Sequence, residues 1–225
     1  MTATPVLVLD LDGTLIETLP DLAATLNMLL VKNGHAAIPP EDIRAMVGQG
    51  ARVMLQRGFA HYGVELTQER TDELFAEFLE HYQDHIAEGS HPFPGVLEQL
   101  DRFAAAGWKL AVCTNKLEVL SKKLLDALGV SSRFAVIAGP DTFGYHKPDP
   151  NHILKTVEAA GGVRENAVMV GDSVADINAA KGAGIPVVAV DFGYTPIPVS
   201  ELDPNIIISH FDQLWDAVES VRAKV

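Results

Sequence analysis

The sequence predicts an α/β protein, in which a doubly wound parallel sheet carries an all-helical domain inserted between its first and second strands. Six short apolar runs alternate with helical patterns along the chain. These runs are continuously apolar, as strands buried on both faces require. In contrast, residues 18–88 contain helical patterns and no convincing strand. Strands that alternate with helices in this way are typical of a doubly wound sheet.

The predicted strands are the apolar runs themselves, at residues 6–9, 110–113, 135–138, 167–170, 187–190 and 206–208. Helical spacing of apolar residues predicts the elements between them. Helices are expected after Pro94, from Leu117 to a stop at Gly129, from Ala175 to a stop at Gly184, and around Leu214. The order of these elements predicts crossover connections over both faces of one sheet.

The helical segment is expected to form a domain of its own. Leu22, Leu26, Leu29 and Leu30 form one amphipathic stripe, and Thr67 is placed to cap a long helix. We therefore predict an α/β core of residues 1–17 and 89–225 and a cap of residues 18–88. Since the cap leaves the core beside the end of the first strand, we expect it to act as a lid. A decorative subdomain is the alternative.

Composition limits the partners of this chain. It has 225 residues, 48% of them hydrophobic, which is sufficient for a packed core. The formal net charge of −13 disfavours nucleic acid and anionic membranes as partners. The single cysteine, Cys113, excludes a disulfide framework. A monomer and a homodimer both stay open.

The first residues do not have the pattern of a signal peptide. No Lys or Arg occurs early, and the first apolar run ends at Asp10. No apolar stretch is long enough to span a bilayer. We therefore expect a soluble cytoplasmic protein that acts on a small molecule.

Four polar motifs, distant in sequence, follow predicted strands. They are Asp10-Leu11-Asp12-Gly13-Thr14, Thr114-Asn115, Lys147-Pro148, and Gly171-Asp172-Ser173 with Asp176. The carboxyl ends of parallel strands meet at one edge of a sheet, where ligands bind. We therefore expect the four motifs to converge on one pocket.

The carboxylates of the first motif indicate a cation site. Asp10 and Asp12 flank Leu11, so in an extended chain their side chains point the same way. Two unit charges near 4 Å repel by about 4 kcal/mol at an effective dielectric constant of 20. A bound Mg²⁺, which prefers oxygen ligands, relieves this repulsion. Asp172 is placed to supply a further carboxylate, with Asp176 supporting the site one helical turn later.

The same residues suit phosphoryl transfer. A carboxylate such as Asp10 can attack phosphorus and form an aspartyl-phosphate, while Asp12 serves as general acid and then general base. Gly13 allows a sharp turn that brings amide donors to phosphoryl oxygens. Thr114 offers a hydroxyl, and Lys147 offers positive charge where negative charge accumulates.

The four motifs resemble those of the haloacid-dehalogenase superfamily of phosphatases, in order and spacing, over essentially the whole chain. The insertion resembles that superfamily's helical cap. The run 47–53 and Thr114-Asn115-Lys116 are similar to its phosphoglycolate phosphatase branch. Glu17 departs from the pattern, because an aspartate is common there. The resemblance implies a Rossmann-like core and Mg²⁺-dependent hydrolysis of a small phosphorylated carboxylate. The leading candidate for this substrate is 2-phosphoglycolate.

With this resemblance the candidate site residues are assigned as follows: catalytic Asp10 and Asp12; phosphate-binding Gly13, Thr114, Asn115 and Lys147; metal-binding Asp10, Asp12 through its carbonyl, and Asp172, with Asp176 behind them.

The cap offers one candidate for substrate selection. Arg52 follows Gly48-Gln49-Gly50, and its guanidinium suits a bidentate contact with a substrate carboxylate. A solvated or ion-paired arginine is the alternative. Two other function classes also stay open. One is a phosphosugar mutase of the β-phosphoglucomutase type, and the other is a non-catalytic phosphate-binding module.

Overall fold

Six parallel strands form the central sheet of this protein, in a computed structural model that describes residues 4–222. The strands of the chain are β1 (Val6–Leu9), β2 (Ile16–Glu17), β3 (His91–Pro92), β4 (Lys109–Cys113), β5 (Val136–Ala138), β6 (Ala167–Gly171), β7 (Val187–Val190) and β8 (Ile206–Ile208). The order across the sheet is β5-β4-β1-β6-β7-β8. The α/β fold class and all six predicted strands are therefore confirmed.

The central strand shows why the runs are apolar throughout. Leu7 and Leu9 of β1 pack into one hydrophobic cluster, whereas Val6 and Val8 pack into another on the opposite face. The neighbouring strands divide their residues in the same way. A strand covered on both faces has no position at which a polar side chain reaches water.

The helices lie on both faces of the sheet and in the insertion. They are α1 (Leu19–Lys32), α2 (Pro40–Arg44), α3 (Ala51–Ala60), α4 (Gln68–Asp84), α5 (Val96–Ala105), α6 (Glu118–Ala127), α7 (Pro140–Phe143), α8 (Pro150–Ala159), α9 (Val174–Ala183) and α10 (Leu214–Arg222). Within residues 4–222, none of these is both long and apolar enough to cross a membrane.

Three helices were not predicted from the sequence: the short α7, and the longer α3 and α8. Glycine at position 58 weakens the helical pattern of α3. In the fold this glycine leaves room for Leu26 of α1, since a Cβ at position 58 would lie 2.8 Å from Leu26 Cδ1. Two prolines obscure the start of α8, although Pro150 is at its first turn and the Asp149 carboxylate accepts a hydrogen bond from the Asn151 amide.

The insertion consists of α1 to α4, and no strand occurs between residues 18 and 88, as predicted. A two-stranded antiparallel ribbon that the sequence did not predict flanks it, with Ile16 opposite Pro92 and Glu17 opposite His91. The apolar side chains of the insertion belong to the same cluster as one face of the sheet. The division of the chain at residues 18 and 88 stays a prediction.

The strand order reverses at β1, whose neighbours β4 and β6 lead to opposite sides of the sheet. Ligands of open α/β sheets bind outside the carboxyl ends of the strands at such a switch point. Asp10 follows β1 directly, and Asp172 follows β6. The topology therefore brings two distant motifs to neighbouring strand ends.

The packing of α1 predicts unequal effects of two truncations in one helix. Leu29 is fully buried, whereas Val31 is 58% exposed. Leu29→Ala is expected to lower the free energy of unfolding by about 2–5 kcal/mol, because it leaves a cavity in the hydrophobic cluster that contains Leu29. Val31→Ala is the matched control and is expected to change it by less than about 0.5 kcal/mol. Urea titration measures both, and equal effects would contradict the packing described.

Candidate active site

Three buried carboxylates meet at the switch point of the sheet. Asp10, Asp172 and Asp176 offer oxygen atoms that all lie within 4.8 Å of one another. Asp10 and Asp172 come from the ends of neighbouring strands, and Asp176 comes from the first turn of α9. We call these three residues the carboxylate cluster. Residues more than 160 positions apart thus reach one point, as the motifs predicted.

Lys147 is bound to this cluster. Its Nζ donates to Asp10 Oδ1 and to Asp176 Oδ1, both at 2.6 Å. The sequence motifs predicted that Lys147 follows a strand directly, and this prediction is wrong. Instead α7 follows β5, and Lys147 lies in the loop between α7 and α8. Its side chain nevertheless reaches the same strand ends, because the loop folds back over them.

Asn115 holds that loop in place. Its Nδ2 donates to the Lys147 carbonyl at 3.0 Å, and its Oδ1 accepts from the Lys147 amide at 2.9 Å. The side chain therefore acts on the Lys147 backbone, a role that the sequence did not predict. The phosphate contact expected of Asn115 stays a prediction.

Asp172 is held on both of its oxygens. Thr14 Oγ1 donates to Oδ1 at 3.0 Å, and the Tyr194 amide donates to Oδ2 at 2.6 Å. Gly193 lies against the same side chain, and a Cβ there would fall 2.1 Å from Asp172 Cβ. No pattern in the sequence connects position 193 or 194 to this site, so both were missed.

Asp176 is both part of the cluster and part of a helix cap. Its Oδ2 accepts from the Ser173 amide at 3.0 Å and from Ser173 Oγ at 2.5 Å. This reciprocal capping box begins α9, where the helix dipole favours a negative charge. The local fold thus fixes a carboxylate that is fully buried.

Gly13 is required by the turn after β1. Its φ of +80° favours glycine, and a Cβ there would lie 2.8 Å from Tyr194 Cδ2. The amide of Gly13 donates to the Ile16 carbonyl at 3.0 Å. The N–H of Gly13 therefore stabilises the turn itself, and the phosphate contact expected at this turn stays a prediction.

Thr114 is buried at the end of β4, as predicted. Its Oγ1 accepts a hydrogen bond from the Lys116 amide at 3.1 Å. Since this bond uses the oxygen as acceptor, the hydroxyl keeps its proton to donate to a ligand.

The electrostatics of the cluster indicate a cation. Burial, and next the neighbouring Asp176, raise the pKa of Asp10 well above its usual value, although Lys147 opposes this. Burial and Asp176 likewise raise the pKa of Asp172 to about 7. Burial lowers the pKa of Lys147, but Asp10 and Asp176 outweigh it and leave this pKa above its usual value. One ammonium does not balance three carboxylates, so these oxygens fit a hard divalent cation.

Asp12 lies outside the cluster and pairs with a different lysine. Lys116 Nζ is 3.1 Å from each carboxylate oxygen of Asp12. Both side chains are largely buried, at 6% and 15% exposure. The sequence analysis noted Lys116 only within the resemblance and gave it no role. The position of Lys116 directly after Thr114-Asn115 was the feature of the sequence that could have placed it near the site.

A cavity of about 250 Å³ opens beside these residues. Core residues Asp10, Asp12, Thr114 and Lys116 line one side. The insertion lines the other side, with Val47, Gln49, Arg52, Met54, Phe75, Phe78 and Tyr82 among its contributions. The insertion therefore covers the site, as its position in the sequence predicted.

Arg52 lines this cavity with its guanidinium already paired. It donates to Asp72 and lies 4.1 Å from the centroid of the Phe75 ring. That hydrogen bond lowers the pKa of Asp72. The structure therefore has the ion-paired arginine that was the alternative, and the substrate contact stays a prediction.

Tyr194 connects the site to the start of the insertion. Its hydroxyl donates to Glu17 Oε1 at 2.6 Å and accepts from the amides of Thr18 and Leu19 at 2.7 and 2.9 Å. Burial raises the pKa of Tyr194, so the hydroxyl keeps its proton. Glu17, which departs from the pattern of the superfamily, is thus an acceptor for this phenol.

A doubly wound sheet with buried carboxylates at its switch point, under a helical insertion, is the architecture of an α/β enzyme whose carboxylates suit a cation. The chain belongs to the haloacid dehalogenase-like hydrolase family, whose profile matches residues 7–190. This confirms the family inferred from the motifs.

Known relatives are similar over nearly the whole chain. A curated phosphoglycolate phosphatase from Mesorhizobium japonicum is 50% identical, covering 93% of this chain and 92% of its own. One from Agrobacterium fabrum is 45% identical, covering 95% and 92%. A crystal structure described as a predicted phosphoglycolate phosphatase from Haemophilus somnus 129PT superposes with a TM-score of 0.88 at 30% identity, covering 96% and 98%. These relatives indicate that the enzyme is a phosphatase.

The raised pKa of Asp172 predicts a pH effect on the metal-free protein. The unfolded carboxyl titrates near 3.8 and the folded one near 7, so the folded state binds more protons between these values. The contribution of Asp172 to the free energy of unfolding therefore falls as the pH rises through that window. The side chain of Asp172→Asn does not titrate in this window. Relative to the wild type, the free energy of unfolding of this variant is therefore expected to rise by up to about 4 kcal/mol from about pH 4 to pH 8.

Urea titrations in EDTA, at several pH values, measure this difference. In parallel titrations with Mg²⁺ in place of EDTA, the ion is expected to stabilise the wild type more than the variant. A stability difference that stays constant with pH would contradict the raised pKa.

Proposed function

We propose that this enzyme is a Mg²⁺-dependent phosphatase that hydrolyses 2-phosphoglycolate to glycolate and phosphate through an aspartyl-phosphate on Asp10. The observation that carries the proposal is the bond from Lys147 to Asp10 within the carboxylate cluster, at the wall of a cavity that also contains Asp12. The relatives named phosphoglycolate phosphatase support the choice of substrate.

The donor set fits Mg²⁺. Asp10, Asp172 and the backbone carbonyl of Asp12 would hold the ion, and Asp176 would support them from behind. Bound there, the ion supplies positive charge that offsets the carboxylates and polarises a phosphoryl oxygen. The raised pKa values of Asp10 and Asp172 are the expected property of carboxyls that are arranged for a cation.

The chain's own residues carry the proposed steps. A carboxylate oxygen of Asp10 attacks phosphorus as the bond to the ester oxygen breaks, and Asp12 gives its proton to that leaving oxygen. Asp12 then takes a proton from water, which attacks the phosphorus of the aspartyl-phosphate. Phosphate leaves, and Asp10 is restored. Lys147 and Thr114 bind the phosphoryl oxygens in both steps.

A single substitution tests the nucleophile. Asp10→Asn is expected to lower phosphate release from 2-phosphoglycolate by at least about a thousandfold, because an amide cannot form the intermediate. Circular dichroism and urea titration are expected to show a folded protein. Asp203→Asn, at a carboxylate that is 96% exposed, is the matched control. Near-normal turnover by Asp10→Asn with Mg²⁺ would contradict the mechanism.

A substrate panel tests the reaction class. We expect phosphate release that depends on Mg²⁺ and ranks 2-phosphoglycolate highest by kcat/KM. β-Glucose 1-phosphate with a trace of the bisphosphate addresses the mutase alternative. Interconversion of the sugar phosphates without free phosphate would contradict hydrolysis, and release from no substrate would support a binding module.

Several expectations about the setting of the enzyme stay predictions. These are a cytoplasmic location, a monomer or homodimer, and the absence of nucleic-acid and membrane partners.

A further inference from the structure

The cavity contains a buried cation that the proposed chemistry leaves without a substrate contact. Of the described residues that line it, Lys116 and Arg52 carry a full positive charge. Arg52 is 44% exposed and is paired with Asp72, whereas the Lys116 side chain is 6% exposed. Lys147 already binds two carboxylates. Lys116 is therefore the buried cation next to Asp12.

A buried hydroxyl whose proton has no acceptor lies beside it. Tyr82 of α4 lines the same cavity and is fully buried, and no atom among residues 4–222 accepts a hydrogen bond from its hydroxyl. The centroid of its ring is 4.6 Å from Lys116 Nζ. Burial raises the pKa of Tyr82 to about 12, so the hydroxyl remains a donor. A buried polar group without a partner destabilises a fold, which points to a ligand that accepts its proton.

We propose that Lys116 Nζ and the Tyr82 hydroxyl together bind a carboxylate on the leaving group, next to the ester oxygen. The inference rests on the proposed function and defines its substrate class, the phosphate monoesters of short 2-hydroxy carboxylates. Lys116 belongs to the core and Tyr82 to the insertion. A carboxylate between them is thus held from both sides of the cavity.

The short distance between the ester oxygen and the carboxylate of such a substrate matches the close contact between Asp12 and Lys116. Asp12 has to approach the ester oxygen to about 3 Å in order to protonate it. Lys116 is hydrogen-bonded to that same carboxyl group. In 2-phosphoglycolate the carboxylate carbon is only two bonds from the ester oxygen, so it falls beside Lys116.

The donors suffice for this contact. An ammonium has three N–H groups, and the two oxygens of Asp12, at equal distances on one side of it, occupy no more than two of them. The third is left for the substrate. Because the ammonium is buried, its attraction to a carboxylate is screened by salt much less than that of the half-exposed Arg52.

The test is a ratio of two kcat/KM values, that for 2-phosphoglycolate over that for ethyl phosphate, which lacks the carboxylate. Lys116→Met is expected to lower this ratio at least about tenfold, and Tyr82→Phe at least about threefold. Any effect of Lys116 on Asp12 acts on both substrates and cancels in the ratio. Lys122→Met and Tyr62→Phe remove the same groups away from the cavity and are expected to leave the ratio unchanged.

Tyr82→Phe keeps the packing of the ring and decides the matter if Lys116→Met does not fold. An unchanged ratio in both variants would overturn the inference, as would a fall of the ratio in Arg52→Ala alone. Hydrolysis of both esters by the wild type without discrimination overturns the inference and leaves the phosphatase chemistry intact. Hydrolysis of neither ester contradicts the proposed function itself.

Discussion

Much of this structure is arranged to hold three carboxylates, buried around one ammonium, at the ends of the central strands. Lys147 binds Asp10 and Asp176 at 2.6 Å, and Asp172 completes the group. Charges removed from water are costly unless their geometry is good and their other atoms are satisfied. Much of the surrounding structure meets this requirement: Asn115 holds the loop of Lys147, and the capping box of α9 holds Asp176.

The parts of the fold that follow from local patterns were predictable. A strand covered on both faces reads as an unbroken apolar run, so β1 and its neighbours were evident from the sequence. The carboxyl ends of parallel strands meet at one edge, so Asp10, Thr114 and Asp172 were expected together. Gly184, which stops α9 in a left-handed conformation, is likewise a local signal.

The parts that depend on tertiary contact were not predictable. Lys116 differs from a surface lysine only because Asp12 and Tyr82 pack around it. Gly58 appears unfavourable in a helix until Leu26 occupies the space beside it. Arg52 has the same chemistry with or without Asp72, and only the packing of α3 on α4 shows which partner it has. A single sequence does not contain these distances.

The two ends of Tyr194 have a consequence for how such an enzyme can diverge. Its amide holds Asp172, while its hydroxyl holds the first amides of the segment that leads into the insertion. One rigid ring thus connects a carboxylate of the cluster to the residues at which the insertion begins. Evolution is free to vary the inner wall of the insertion and so admit new leaving groups. The residues at the start of the insertion are under a stricter constraint, because a substitution there can move Tyr194 and with it Asp172.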